Sequence, residues 1–161
     1  MNAEQAASTT VKRTVRVNAP VEKAFQVFTG RIGAWWPAAH HIGAAPLADV
    51  VMEPRAGGRW YEKGTDGKEC DWGRVLVWEP PHRIVLAWGL QPDWTYSPDA
   101  ARASEVSVEF FAEGAAATRV ELEHRLLERH GADYEKLRAG VDSPDGWPGI
   151  LARYAETAAK L

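Results

Sequence analysis

The chain carries five histidines and one cysteine, the side chains best suited to proton transfer, metal binding or nucleophilic chemistry near neutral pH. His124 is the most informative of them. In the run "TRVELEH", Val120, Leu122 and His124 alternate with Arg119, Glu121 and Glu123, so His124 shares the apolar side of a strand. A buried imidazole needs a partner for each ring nitrogen. Three roles stay open for it: hydrogen-bonding a ligand, acting as a catalytic acid–base group, or a structural tie to a backbone carbonyl. His40 and His41 are adjacent in "HHIG" on a loop, a spacing that rarely converges on one ion. No thiolate or carboxylate stands at ligand spacing, so no metal is expected. Cys70 lies among charged residues beside a turn and reads as an inert thiol. Glu105, Glu109, Glu121 and Glu123 alternate with apolar positions and face solvent rather than pairing for catalysis. The glycines of Ala56–Gly58 lack phosphate-loop spacing and suit a bend or bulge. No Ser-His-Asp order and no cofactor motif is present.

Tryptophan is the second chemical signal. Four of the eight tryptophans fall between Glu53 and Trp88. Ile84, Leu86 and Trp88 share one strand face, and Val106, Val108 and Phe110 share another. Trp72, Arg74, Leu76 and Trp78 alternate with Val75 and Val77, and Trp60 and Glu62 with Arg59 and Tyr61, so the inward faces of those runs are ambiguous. The expected ligand-binding set is Trp36, Trp60, Trp88, Phe110, His124, Trp147, Leu151 and Tyr154. Indoles combine large apolar area with one N–H donor, which suits a flat or ring-containing molecule. The competing reading is that these side chains only fill a core. Trp94 and Tyr96, in the loop "GLQPDWTYSPDAARA", would close a cavity mouth, anchor a partner, or fold back on the sheet.

The elements that must position these residues are legible in the periodicity. Residues 1–9 are small and polar, as in a flexible tail, and residues 10–161 form one domain. "TVKRTVRV" reads as a strand. Val21, Ala24, Phe25 and Phe28 mark one face of a helix that Gly30 stops, and "RIGAWWP" a second, short helix ended by Pro37. Six strand-length runs follow: "LADVVMEP", "GGRWYEK", "ECDWGRVLVW", "HRIVLAW", "SEVSVEFFA" and "TRVELEH". Asp66-Gly67 predicts a two-residue type I′ turn, and the short connections predict antiparallel neighbours. Tyr134, Leu137 and Val141 mark another helical segment. Trp147, Leu151, Tyr154, Ala158 and Leu161 then recur at helical spacing, giving an amphipathic last helix.

Composition narrows the function classes. The 161 residues are 45% hydrophobic and 25% charged, as in an ordinary globular domain. A net charge of −3 gives no reason to expect nucleic acid. A single cysteine fits a reducing compartment, and the start "MNAEQAASTT" lacks a signal peptide, so a cytoplasmic location is expected. No apolar run reaches the roughly 18–20 residues of a membrane span.

The motifs "VNAPVEKAFQVFT", "WWP", "EPRAGGRWYE…DGKE…GRVLVWEPPHRIVLAW", "TRVELEHRLL" and "GWPGIL" appear in one order over residues 11–160. In this the chain resembles the START-like, helix-grip superfamily (SRPBCC), within it the group named after the activator of the heat-shock-protein-90 ATPase. The resemblance implies an α+β helix-grip fold. A curved seven-stranded antiparallel sheet wraps a long C-terminal helix, with two short helices between strands 1 and 2. It further implies a cavity between sheet and last helix that accepts an apolar small molecule. Alternatives are a cyclase or hydrolase using His124 and Tyr154 in the same cavity, or a protein-interaction module with a chaperone contact and a stress-response role by family analogy. The long Gly89–Ala103 loop departs from the family's tight turn, and the chaperone-binding namesakes carry an extra domain. A homodimer through a sheet edge or the Trp94 loop is left open.

Overall fold

In a computed structural model that describes residues 9–161, the strands and helices follow the order the periodicity predicts. Strand β1 (Val11–Val17) leads to α1 (Val21–Gly30) and α2 (Ile32–Trp35). Strands β2 (Leu47–Met52), β3 (Arg59–Gly64), β4 (Glu69–Glu79), β5 (Arg83–Trp88), β6 (Ser104–Ala112) and β7 (Thr118–Arg125) follow. Helices α3 (Tyr134–Val141) and α4 (Trp147–Lys160) close the chain. The seven strands form one antiparallel sheet in the order β1-β7-β6-β5-β4-β3-β2, curved around α4 in the helix-grip arrangement. The expected tail over residues 1–9 lies outside the described residues, apart from Thr9, whose carbonyl accepts the Leu127 N–H at 3.3 Å.

Helix α4 buries Trp147, Ile150, Leu151, Tyr154 and Ala158, a stripe at helical spacing pressed to the sheet and to α1. Beneath its middle the space is filled with rings. Phe28 meets Tyr154 at 5.0 Å, Phe110 at 5.7 Å and Trp35 at 5.0 Å between centroids, mostly edge to face. Phe25 meets Phe110 at 5.1 Å and Trp78 at 5.2 Å. The buried Tyr154 hydroxyl donates to the Ala24 carbonyl at 2.7 Å, locking α4 to α1.

Two bulges explain why β4 is ambiguous from alternation alone. The register with β3 shifts at Trp72, and the register with β5 shifts at Leu76. Each shift adds one residue and reverses the in–out parity. Trp72, Val75 and Trp78 therefore turn inward, while Leu76 is 44% exposed. In β3, Trp60 and Glu62 face inward and are buried.

The Asp66-Gly67 turn differs from the two-residue form expected. Gly64 N–H donates to the Lys68 carbonyl and Gly67 N–H to the Gly64 carbonyl, with Gly67 left-handed at φ +83°. This is a three-residue loop, a type I turn followed by a left-handed residue. The same pattern recurs from Gln91 to Thr95, but there the left-handed position is Trp94, at φ 64°.

Candidate functional site

At the N-terminal end of α4 the packing opens into a cavity of about 390 Å³. Its wall is drawn from distant parts of the chain: Trp36 and the loop Ala39–Ile42, Trp72, Trp88, Leu90, Trp94, the end of α3, and Asp145–Ile150. Five of the chain's indoles thus border one space. Four of them belong to a closed ring of contacts completed by Trp60 behind the wall. Centroids lie 5.0 Å apart for Trp36–Trp72, 5.4 Å for Trp72–Trp60, and 5.9 Å for Trp60–Trp88. They lie 5.9 Å apart for Trp88–Trp147 and 6.1 Å for Trp147–Trp36. Gly73 lies in register between Trp60 and Trp88, and a Cβ there would stand 1.7 Å from the Ala87 carbonyl oxygen. Only glycine fits between those two indoles.

The four buried wall indoles all spend their N–H on the protein. Trp36 Nε1 donates to the His40 carbonyl at 2.9 Å, and Trp88 Nε1 to the Leu90 carbonyl at 3.0 Å. Trp72 Nε1 donates to Glu62 Oε1 at 2.9 Å, and Trp147 Nε1 to His124 Nδ1 at 3.1 Å. Those four indoles therefore offer the cavity carbon surface rather than donors. Trp94 stands at the mouth, 49% exposed, on its left-handed backbone.

Glu62 is a charged residue 1% exposed, and its partners explain why it is tolerated. Besides Trp72, it accepts the backbone N–H of Ile42 at 2.6 Å and of Gly43 at 3.1 Å. One carboxylate thus anchors an indole and the loop that carries His41.

The His124 imidazole is fully buried and sits in a one-way hydrogen-bond chain. Because Nδ1 accepts from Trp147, Nε2 must carry the proton and donate to Ser104 Oγ at 2.8 Å. Ser104 then donates to His130 Nε2 at 2.7 Å, and His130 Nδ1 donates to Gln91 Oε1 at 3.2 Å. The Gln91 amide N–H₂ ends the chain on the carbonyls of Gly89 and Arg102. Every member is satisfied only if both imidazoles are neutral. Burial, then the neighbouring His130, pushes His124 down to about 3, and burial, then Arg102, pushes His130 down to about 4.

Of the residues expected to bind a ligand, Trp36, Trp88 and Trp147 stand in the cavity wall. Trp60, Phe110, His124, Leu151 and Tyr154 pack behind or below it. Neither polar atom invoked for catalysis is free, since both His124 nitrogens and the Tyr154 hydroxyl have protein partners. Burial raises the Tyr154 hydroxyl far above its ordinary range. Alternation leaves Trp72 unassigned because of its bulge, while Trp94, for which closing a cavity mouth is one of three expected roles, lines the cavity. His40 and His41 were weighed only as metal ligands, yet both border the cavity. Among the described residues no group of three His, Cys, Asp or Glu side chains converges as a metal site, and no helix is long and apolar enough to cross a membrane.

The family model described as Activator of Hsp90 ATPase homolog 1-like protein matches residues 18–159. The chain belongs to this family. Among solved structures, the family member is similar to the anthrahydroquino-gamma-pyrone synthase Txn09, with 42% identity over 92% of this chain and 96% of that one, and a TM-score of 0.67. It is also similar to CalC from Micromonospora echinospora, a self-sacrificing resistance protein, with 29% identity over 95% and 96% of the two chains and a TM-score of 0.67. Protein NE0264 from Nitrosomonas europaea, 14% identical over 96% of each chain with a TM-score of 0.66, shares the fold. No curated protein matches the chain.

Proposed function

We propose that this Activator of Hsp90 ATPase homolog 1-like protein binds a flat, polycyclic aromatic small molecule between its indoles. The observation that carries the reading is the cavity itself. Its volume of about 390 Å³ suits a fused-ring compound, and five indoles border it. Ring faces and edges reward a planar occupant by stacking and edge contacts, and a flexible aliphatic chain much less. The likeness to Txn09, a synthase acting in anthrahydroquinone chemistry by its description, supports the same ligand class.

A second reading, that the bound compound is also converted in a cyclase-type reaction, is favoured by that same 42% identity. Binding is the first thing to test. Titration with alizarin, a planar hydroxyanthraquinone, is expected to quench the intrinsic fluorescence saturably, and palmitate to leave it unchanged. Trp36→Ala should weaken the alizarin response at least tenfold. An unsaturable response, or equal responses to both compounds, would remove the reading.

A further inference from the structure

We infer that His41 Nε2 is the proton acceptor of this cavity, acting on an acidic O–H or C–H of the aromatic molecule held there; this rests on the binding reading above. The argument starts from which nitrogen can hold a proton. His41 Nδ1 lies 2.8 Å from the Gly43 carbonyl oxygen, which can only accept, so Nδ1 carries the hydrogen. The lone pair of the neutral ring is then on Nε2, and among the described residues nothing bonds it. His41 borders the cavity, so that lone pair belongs to a side chain in its wall.

The loop under His41 is built to hold still. Ile42 and Gly43, the next two residues, give their N–H groups to the buried Glu62 carboxylate, which also fixes Trp72 in the wall. A Cβ at Gly43 would approach Glu62 Oε2 to 3.1 Å, so the loop lies close on that carboxylate. Base and stacking surface are therefore positioned by one group, the preorganisation that proton transfer requires. His40 is placed differently. Its Nε2 donates to the Asp145 carbonyl at 2.7 Å at the exposed rim, bridging the Trp36 loop to the start of α4.

His40 Nδ1 is the other imidazole lone pair in the wall, but His40 sits at the rim and lacks the Glu62 anchor that holds the next two residues after His41. The indole N–H groups are donors, and His124 is sealed in its own chain. For a hydroxyaryl compound bearing a conjugated carbonyl side chain, the step balances without a co-reactant. The O–H bond breaks, the electron pair stays on oxygen, and Nε2 takes the proton. Oxygen then forms a C–O bond to the electrophilic carbon, and the displaced π electrons take the proton back from the imidazolium at the carbon beside the carbonyl. The result is a ring-closing isomerisation.

A substrate-independent probe tests the assignment. Nitrobenzisoxazole is a flat aromatic that opens when a base removes its ring C–H: the nitrile forms, the N–O bond breaks, and the coloured cyanophenolate leaves. The full-length protein is expected to accelerate this opening saturably, and His41→Gln to lose about a hundredfold or more of it. His41→Gln should retain tryptophan quenching by the probe within about threefold, showing an intact cavity. His82→Gln, on an exposed turn remote from the cavity, should match the parent. Equal rates in parent and His41→Gln overturn the inference, as does loss in His40→Gln alone, or probe binding without acceleration. Absence of any quenching would fail the binding reading instead, and take the base with it.

Discussion

At the scale of single residues, the decisive feature is a buried chain of polar side chains that satisfy one another. The His124–Ser104–His130–Gln91 chain works only with neutral imidazoles, and this gives stability a defined pH dependence. Both histidines lie below their ordinary value in the fold, at about 3 and about 4. The unfolded chain therefore binds more protons once pH drops below about 6.5. The stability these groups contribute is complete above that pH and falls as pH goes from about 6.5 towards 4. The slope approaches about 1.4 kcal/mol per pH unit for each histidine. Urea unfolding at pH 7.5, 6 and 5 checks this, and a flat profile would contradict it. Glu62 makes a second case. Glu62→Gln would turn an amide N–H₂ towards an N–H donor, because three donors converge on the carboxylate. A loss of about 1–3 kcal/mol is expected in the same unfolding experiment, with weaker alizarin quenching as Trp72 loosens.

At the scale of elements, the bulges and tight turns decide where side chains go. Gly73 permits two indoles to meet across β4, and Gly73→Ala must push against the Ala87 carbonyl. Destabilisation of about 1–3 kcal/mol is expected from such overpacking, together with changed tryptophan emission. The Trp94 hairpin poses the opposite balance. A bulky residue in left-handed backbone loses about 1–2 kcal/mol, and glycine would recover it. The indole is about half covered, so its contacts return a comparable amount, roughly 2 kcal/mol at 25 cal/mol per Å². Trp94→Gly should therefore leave the unfolding midpoint nearly unchanged while weakening alizarin quenching several-fold. A large loss of stability without loss of binding would make Trp94 a structural residue and not part of the mouth.

At the scale of the whole molecule, the sheet grips α4 tightly along its middle and opens at its N-terminal end. Ring packing of Phe25, Phe28, Trp35, Phe110 and Tyr154 closes one end, and the long Gly89–Ala103 loop, α3 and the His40 loop frame the other. A ligand seated there touches several separate elements of the fold and binds only the folded chain, so it should raise the melting temperature with the logarithm of its free concentration above Kd. At a hundredfold excess over Kd the stabilisation is about 2.7 kcal/mol, readable by calorimetry with alizarin. The sequence by itself determined the seven strands, the helices and their order, because periods of 2 and 3.6 are local properties of the chain. It also marked Trp88 and Trp147, whose faces follow from simple alternation or helical spacing, and named Trp36 without a pattern that sets its face. Only the tertiary structure decided that Trp72 turns inward, since a bulge reverses parity without leaving a mark in composition. Only it showed that His124 is sealed by Trp147 and Ser104 while His41 borders open space. Those outcomes depend on contacts between residues more than a hundred positions apart, such as Trp36 with Trp147 and His40 with Asp145. Local periodicity fixes which face a side chain takes, and long-range packing alone fixes what that face meets.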